Sequence, residues 1–322
     1  MQERWNANMK VVIVGGVAGG ATAAARIRRL NEQAEIVVFE RSKFISYANC
    51  GLPYYIGGVI TDEEELTLQT PESFYNRFRI DVRVKHEVTA IHPESKTVSV
   101  KNLTTGEVFE ESYDKLILSP GAKPTVPRLA GVDGERVFTL RTVEDTLRIK
   151  HFIDTHQPKS VVIAGGGFIG LEMAENLREL GLDVTIVQRP KQVLAPLDED
   201  MAAALHNLLR KHGVRLKLGS SVEGFRQDDD QVSTLLKDEE PLVSDMVLLA
   251  IGVTPDTVLA KEAGLELGQK GSIVVNDRME TSVPDIYAVG DAVEVRHYVT
   301  GDKALISLAG PANKQGRIVA DN

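Results

Sequence analysis

The sequence of 322 residues has one cysteine, Cys50. An internal disulfide framework is therefore excluded, and the thiol economy suits a reducing compartment. Apolar runs are short, and none reaches the ~18 residues of a membrane-spanning helix. Basic residues are outnumbered, with 37 Lys and Arg against 46 Asp and Glu, a formal charge of −9. No dense basic patch is present, which argues against nucleic acid as a partner. Residues 1–8 show no apolar stretch after a charged start, so they do not read as a signal peptide. They are expected to be an extension or alternative start ahead of Met9, and a soluble cytoplasmic protein is the expectation. Length and 43% hydrophobic content are enough for about two domains with real cores.

Glycine is used in two places in the same way. The apolar run Lys10–Val14 ends in Gly15-Gly-Val-Ala-Gly-Gly20, a helix is expected over 18–30, and Glu35–Glu40 reads as a second strand. Later, Ser160–Ala164 runs into Gly165-Gly-Gly-Phe-Ile-Gly170, a helix to about Leu180 and the strand Asp183–Gln188. Strand, glycine turn, helix and strand make a βαβ dinucleotide unit. Its glycines admit a tight turn and let backbone approach a pyrophosphate at a helix N-terminus. One such motif is a weak signal, and two at a one-domain separation are a strong one. The alternative is a pair of generic α/β turns. Val17 takes the middle glycine position of the first copy, whereas Gly165, Gly167 and Gly170 all stand in the second. Gly15, Gly19 and Gly20, and Gly165, Gly167, Ile169 and Gly170, are thus the candidate phosphate-turn residues. Glu40 can accept hydrogen bonds from a ribose, while Gln188 followed by Arg189 leaves both NADH and NADPH open.

Between the units, residues 82–118 alternate apolar and polar with turn signals, which predicts a small β-meander inserted in the first domain. Leu116–Ser119 breaks into Pro120-Gly121, and Asp245–Gly252 repeats that strand exit. These exits set the expected division: 9–121 with 253–322 as one domain, 122–252 as the other. Ile286–Val289 is a short strand that delivers Gly290-Asp291 to its carboxyl end, where ligands of open α/β sheets bind. An ordinary turn is the plainer explanation of Gly-Asp alone.

With these pieces the sequence resembles the flavoprotein pyridine nucleotide–disulfide oxidoreductases, from Met9 to the last residue. The carriers are the two βαβ units, the cysteine between them, and Thr281…Tyr287-Ala288…Gly290-Asp291. The resemblance implies two Rossmann-like domains, FAD in the first and NADH or NADPH in the second. It assigns Asp291 to the ribityl chain and Glu40 to the adenosine ribose. It places Ser119, Gly121 and Ala309 at the flavin, Ala309 in the turn Ala309-Gly-Pro-Ala312 ahead of a final helix whose N-terminus would favour negative charge on the ring. Gln188 and Gly252 fall to the nicotinamide nucleotide.

Two-cysteine members carry C-x-x-x-x-C, and the second position here is Tyr55. Ser46-Tyr-Ala-Asn-Cys-Gly-Leu-Pro-Tyr54 looks most like the single-cysteine coenzyme A disulfide reductases and persulfide reductases. A lone cysteine is most often inert and buried. Gly51 and Pro53, however, predict a helix opening just after Cys50, a placement that makes thiolate available. Thr22, Arg26 and Arg29 fall on one helical stripe while Arg28 points elsewhere. By spacing alone a solvated face explains the stripe. In the resembled reductases, positions matching Thr22, Arg26, Arg29, Ser46 and Asn49 contact coenzyme A. Family members continue into a dimerisation domain that makes the full-length protein a homodimer. This chain stops at Asp321-Asn322, so it is expected to lack that part. The implied reaction runs from NAD(P)H through FAD to Cys50 and then to coenzyme A disulfide or a persulfide. An NADH oxidase cycling through Cys50 sulfenic acid, and a flavin-binding redox sensor without turnover, are the alternatives.

Overall fold

The computed structural model describes residues 9–322. The extension expected at residues 1–8 lies outside the described residues. The chain divides into two compact units. The first holds the described residues up to Ala48, Thr67–Lys123 and Thr254–Asn322, and the second holds Asn49–Leu66 and Pro124–Val253. The sequence-based division kept Asn49–Leu66 with the first domain. In the structure the helix Leu52–Ile56 packs on the helices Val143–His156 and Phe168–Glu179, so the segment groups with the second unit.

The first unit is built on a five-stranded parallel sheet in the order Ile286–Ala288, Lys115–Leu118, Lys10–Val14, Glu35–Glu40 and Asp81–Val84. Its central strand is apolar on both faces because both are covered. Val11 and Ile13 point to one side with Ile36 and Val38, against the helices Ala18–Leu30 and Ala309–Asp321 through Ala23, Ala24, Ile27, Val319 and Ala320. Val12 and Val14 point to the other side with Val37 and Phe39, against Val88, Val98 and Val100. Those valines belong to a three-stranded antiparallel sheet, His86–His92, Thr97–Asn102 and Val108–Ser112. The expected meander is therefore narrower than 82–118. Asp81–Val84 and Lys115–Leu118 are strands of the parallel sheet, because their apolar side chains complete its core.

The two helices cross closely because both present small residues. A Cβ on Gly316 would lie 2.6 Å from the Gly19 carbonyl oxygen and 3.1 Å from Thr22 Cβ. Gly316→Ala would push the final helix off the first and open the core beneath Ala320.

The second unit repeats the design. Its parallel sheet runs Arg215–Leu218, Asp183–Gln188, Ser160–Ala164, Met246–Leu249 and Val137–Thr139. An antiparallel sheet of Val222–Gln227, Val232–Leu236 and Leu242–Ser244 covers one face. Val137–Thr139 and Ile286–Ala288 occupy the same edge, but the chain supplies one before its unit's βαβ and the other after it. In both units the first strand of the βαβ is central, with its crossovers leaving in opposite directions. The gap at its carboxyl end is the switch point where open α/β sheets bind ligands. No helix among the described residues is long and apolar enough to cross a membrane.

Candidate dinucleotide sites and the Cys50 segment

At the switch point of the first unit, Gly15 has φ +98°, and a Cβ there would collide with the Ser119 carbonyl oxygen. Only glycine fits such a place without strain. The Gly15 amide donates to Phe39 O at 2.8 Å and the Ser119 amide to Val14 O at 2.8 Å, joining the ends of three parallel strands. A Cβ on Gly19 would lie 2.8 Å from Ser119 Oγ and 3.0 Å from Val289 Cγ2. One on Gly290 would lie 3.7 Å from the same hydroxyl. Gly15, Gly19, Gly20, Ser119 and the Gly290-Asp291 turn, remote in sequence, thus share one bare backbone cradle. The helix Ala18–Leu30 opens at Val17 without a side-chain cap, so its first amides stay available to an anion.

Glu40 ends the second strand and is buried, with Oε2 accepting from the Gly16 amide at 2.8 Å and Oε1 from the Ser42 amide at 2.9 Å. Gly16, which no motif singled out, holds the acid in position. Its carbonyl also accepts from the Ser46 amide at 2.9 Å. Ser46 itself takes the left-handed φ of +50° and is half-buried. Gly121 has φ +72°, and its carbonyl accepts from the Asp256 amide at 3.0 Å. Asp291 lies in a short 3-10 turn, Gly290–Ala292, whose Gly290 amide donates to Gln315 Oε1 at 2.7 Å. Gln315 reaches back from the final helix, whose uncapped first turn begins with exposed Ala309. Local sequence holds no signal for the Gln315 contact.

The second unit repeats the glycine turn and its amide bond to the side chain at the end of the second strand. Gly165 has φ +116°, a Cβ there would strike the Ala250 carbonyl, and its amide donates to Val187 O at 2.9 Å. Gly170 and Gly20 are equivalent: a Cβ on either would run into the carbonyl of Gly165 or Gly15. The Gly166 amide donates to Gln188 Oε1 at 2.9 Å. Gly167 caps the helix Phe168–Glu179 with open space around it, and Gly252 at φ +116° is equally open. Ile169 is half-buried in the first turn.

Cys50 is exposed and sits in a 3-10 turn, Asn49–Gly51. The helix Leu52–Ile56 follows at once, with Gly51 at its N-cap and Pro53 in its first turn. Leu52 and Ile56 are fully buried and anchor this helix. Asn49 Nδ2 donates to the Arg141 carbonyl at 2.6 Å, tying the turn to the start of the Val143–His156 helix. Gly57 ends the helix directly against Asn176, where a Cβ would lie 2.9 Å from Asn176 Cβ. Asn176 is buried, and its Nδ2 donates to Glu172 O at 2.8 Å. No group of metal-ligating residues occurs among the described residues.

The stripe on the first helix is engaged more than spacing suggests. Thr22 Oγ1 donates to Asn313 Oδ1 at 2.7 Å, and Arg26 pairs with Asp321 at 2.8 Å. Arg29 is exposed. Arg28 turns away, donating to the Phe78 and Arg79 carbonyls at 2.8 and 2.9 Å.

A family model described as pyridine nucleotide-disulphide oxidoreductase matches residues 9–316. A coenzyme A disulfide reductase of Staphylococcus aureus strain JH9 is 40% identical over 313 residues, 97% of this chain and 70% of its own length. The crystal structure of reduced Bacillus anthracis CoADR-RHD superposes with a TM-score of 0.96 at 51% identity, covering 99% of this chain and 57% of that one. An NAD-dependent persulfide reductase from A. fulgidus gives 0.93 at 37% identity, covering 97% of this chain and 58% of that one. The chain thus spans under two thirds of each of these two solved chains.

Proposed function

The chain belongs to the pyridine nucleotide-disulphide oxidoreductase family, and on that premise we propose that it is an FAD-dependent NAD(P)H reductase of coenzyme A disulfide or a related disulfide or persulfide. The observation that carries the proposal is the pairing of two matched glycine cradles with one exposed cysteine. In this reading the first unit, with Thr67–Lys123 and Thr254–Asn322, holds FAD, and the second, with Pro124–Val253, holds the nicotinamide nucleotide. The residues fit these groups. Gly15, Gly19 and Gly20 leave backbone bare for a pyrophosphate, Glu40 offers carboxylate oxygens at the ribose position, and Ser119, Gly121, Asp291 and Ala309 belong to the same unit. Gly165, Gly167, Ile169, Gly170, Gln188 and Gly252 repeat the arrangement for the second nucleotide.

When bound, FAD supplies the conversion of a hydride from NAD(P)H into an electron pair for sulfur. The chain's own part is nucleophilic. Cys50 thiolate attacks one sulfur of the disulfide, forms a Cys50–coenzyme A mixed disulfide and expels the other half as a thiolate that takes up a proton. The electron pair then cleaves the mixed disulfide, releasing the second thiol and restoring Cys50. The balance is one disulfide, one NAD(P)H and one proton to two thiols and NAD(P)+. Thr22, Arg26, Arg29, Ser46 and Asn49 are the proposed coenzyme A contacts. Binding there requires Arg26 to exchange Asp321 for a phosphate, an exchange between charged partners at a half-exposed site.

Mass spectrometry of the protein as isolated tests the reading. A coenzyme A adduct on Cys50, removed by reductant, is the expected result. Sulfenic acid at Cys50 together with oxygen consumption would make the protein an oxidase instead.

A further inference from the structure

In each unit the loop after the second strand closes on the glycine turn in the same way. In the first, the Ser46 amide donates to Gly16 O at 2.9 Å, and a Cβ on Gly16 would lie 3.0 Å from Ile45 Cγ2. In the second, the Leu194 amide donates to Gly166 O at 2.8 Å, and a Cβ on Gly166 would lie 2.7 Å from Val193 Cγ1. Ser46 and Leu194 both take left-handed backbone, at φ +50° and +45°. A leucine keeps that conformation only where its surroundings over-determine it.

The second unit adds a side chain that helps to do so. The fully buried Val193 donates its amide to Nε2 of the half-buried His206 at 3.2 Å. Within the loop, the Leu197 amide donates to Leu194 O at 2.8 Å and Gln192 Nε2 to Leu197 O at 2.8 Å. His206 stands on the helix Glu199–Lys211, which buries Ala202 and little else. Its ring therefore joins the closed loop to the helix that follows.

A ring nitrogen accepts only without its proton, so Nδ1 carries the hydrogen and the ring is neutral. Burial, and the Arg210 guanidinium one turn further along the helix, push the imidazole below its ordinary value. The strand Arg215–Leu218 packs on the same helix, and its cations are turned to other partners. Arg215 donates to Thr185 Oγ1 at 3.0 Å, and Lys217 pairs with Glu239 at 2.9 Å. Arg189, Lys191 and Asp198 on the loop are exposed, as are Glu199 and Asp200 in the first turn of the helix.

Resting on the assignment of the second unit to the nicotinamide nucleotide, we propose that His206 is a positioning residue for that unit's glycine turn. Its neutral ring holds Val193 against Gly166 and keeps the Leu194–Gly166 bond, so that the turn is set to receive a pyrophosphate. Protonation makes Nε2 a donor, sets it against the Val193 amide and frees the loop. The bond is present above the folded value of His206 and is lost as pH falls through that value, below about 6.5.

The test uses the full chain with FAD and its His206→Gln and His206→Leu variants. Glutamine offers an uncharged acceptor of similar reach that does not titrate, and leucine offers none. Two readouts are taken between about pH 5.5 and pH 7.5. One is hydrogen exchange at Val193 and Leu194, corrected for its intrinsic pH dependence, which needs no coenzyme. The other is the KM and limiting rate of flavin reduction by NADH, whose phosphates stay ionised throughout. In the natural chain, protection should fall at least about fivefold and KM rise at least about threefold on acidification, with the limiting rate little changed. His206→Gln should behave at every pH as the natural chain does at neutral pH, and His206→Leu as it does in acid. Protection unmoved by pH in the natural chain, or a pH dependence that survives in His206→Gln, overturns the proposal. The comparison with glutamine decides even where leucine prevents folding. If neither NADH nor NADPH reduces flavin, the proposed function fails, and exchange at Val193 still decides the role of His206.

Discussion

The Gly16 amide donates to Glu40 Oε2 at 2.8 Å, and in the second unit the Gly166 amide makes the same bond to Gln188 Oε1 at 2.9 Å. The bond persists while the charge changes. The acceptor is therefore common to the two turns, and the charge is the part that differs.

Substitutions at Glu40 separate these roles. Glu40→Ala leaves the Gly16 and Ser42 amides without their acceptor, at a cost of about 1–3 kcal/mol in the stability of the first unit, with loss of bound flavin. Glu40→Gln keeps the acceptor for the Gly16 amide but turns an NH2 toward the Ser42 amide and loses the charged contact to a ribose, so it costs less stability than alanine. Denaturant midpoints should fall further for alanine than for glutamine, whereas flavin content after dialysis should fall for both.

Gly165→Ala sets a methyl group against the Ala250 carbonyl at φ +116°, whereas Gly181→Ala meets open space at φ +88°. Both carry backbone strain on the order of 1 kcal/mol, but only the first distorts the cradle. Gly165→Ala should retain flavin and lose at least about tenfold in the rate of flavin reduction by NAD(P)H, while Gly181→Ala keeps that rate. Stopped-flow absorbance with each coenzyme measures the difference.

Gly57→Ala drives a methyl group into Asn176 beneath the helix that follows Cys50. Overpacking of this kind costs about 1–3 kcal/mol. A lowered denaturant midpoint, with changed alkylation kinetics at Cys50, is expected.

Hydrogen bonds from Lys115 and Lys96, each at 2.6 Å, hold the Asp285 carboxyl below the usual carboxylate range. A carboxyl whose folded value is depressed contributes stability above its unfolded value of ~3.9 and loses it as pH falls through the folded value. The side chains are partly exposed, so the contribution is on the order of 1 kcal/mol. Asp285→Asn should lower stability at neutral pH and flatten its decline in acid, so that the two proteins converge below the folded value. Urea unfolding between about pH 6 and pH 2 tests this.

Much of the scaffold is legible from local sequence. Lys10–Val14, Ala18–Leu30, Glu35–Glu40, Ser160–Ala164 and Asp183–Gln188 form where apolar runs and glycine turns place them, because each signal lies within a few residues of its effect. What was not legible depends on partners far away in the chain. Asp81–Val84 reads as part of a meander until its pairing with Val37–Glu40 is seen. The Arg26–Asp321 pair joins residues 295 apart, and no helical stripe reveals it. Asn49–Leu66 joins the second unit through Asn49 on Arg141 and Gly57 on Asn176, contacts that no motif announces. Gly16 and Gly166 were hidden for another reason. Their contribution is a backbone amide, and the residue type carries no mark of it.

In the proposed reaction Cys50 is the single redox thiol through which reducing equivalents leave the protein. Anaerobic release of thiol from coenzyme A disulfide, driven by NAD(P)H and compared between the natural chain and Cys50→Ser, tests it most directly. Steady thiol release is expected from the natural chain, and none from Cys50→Ser although its flavin is still reduced. Thiol release by Cys50→Ser at the natural rate would contradict it.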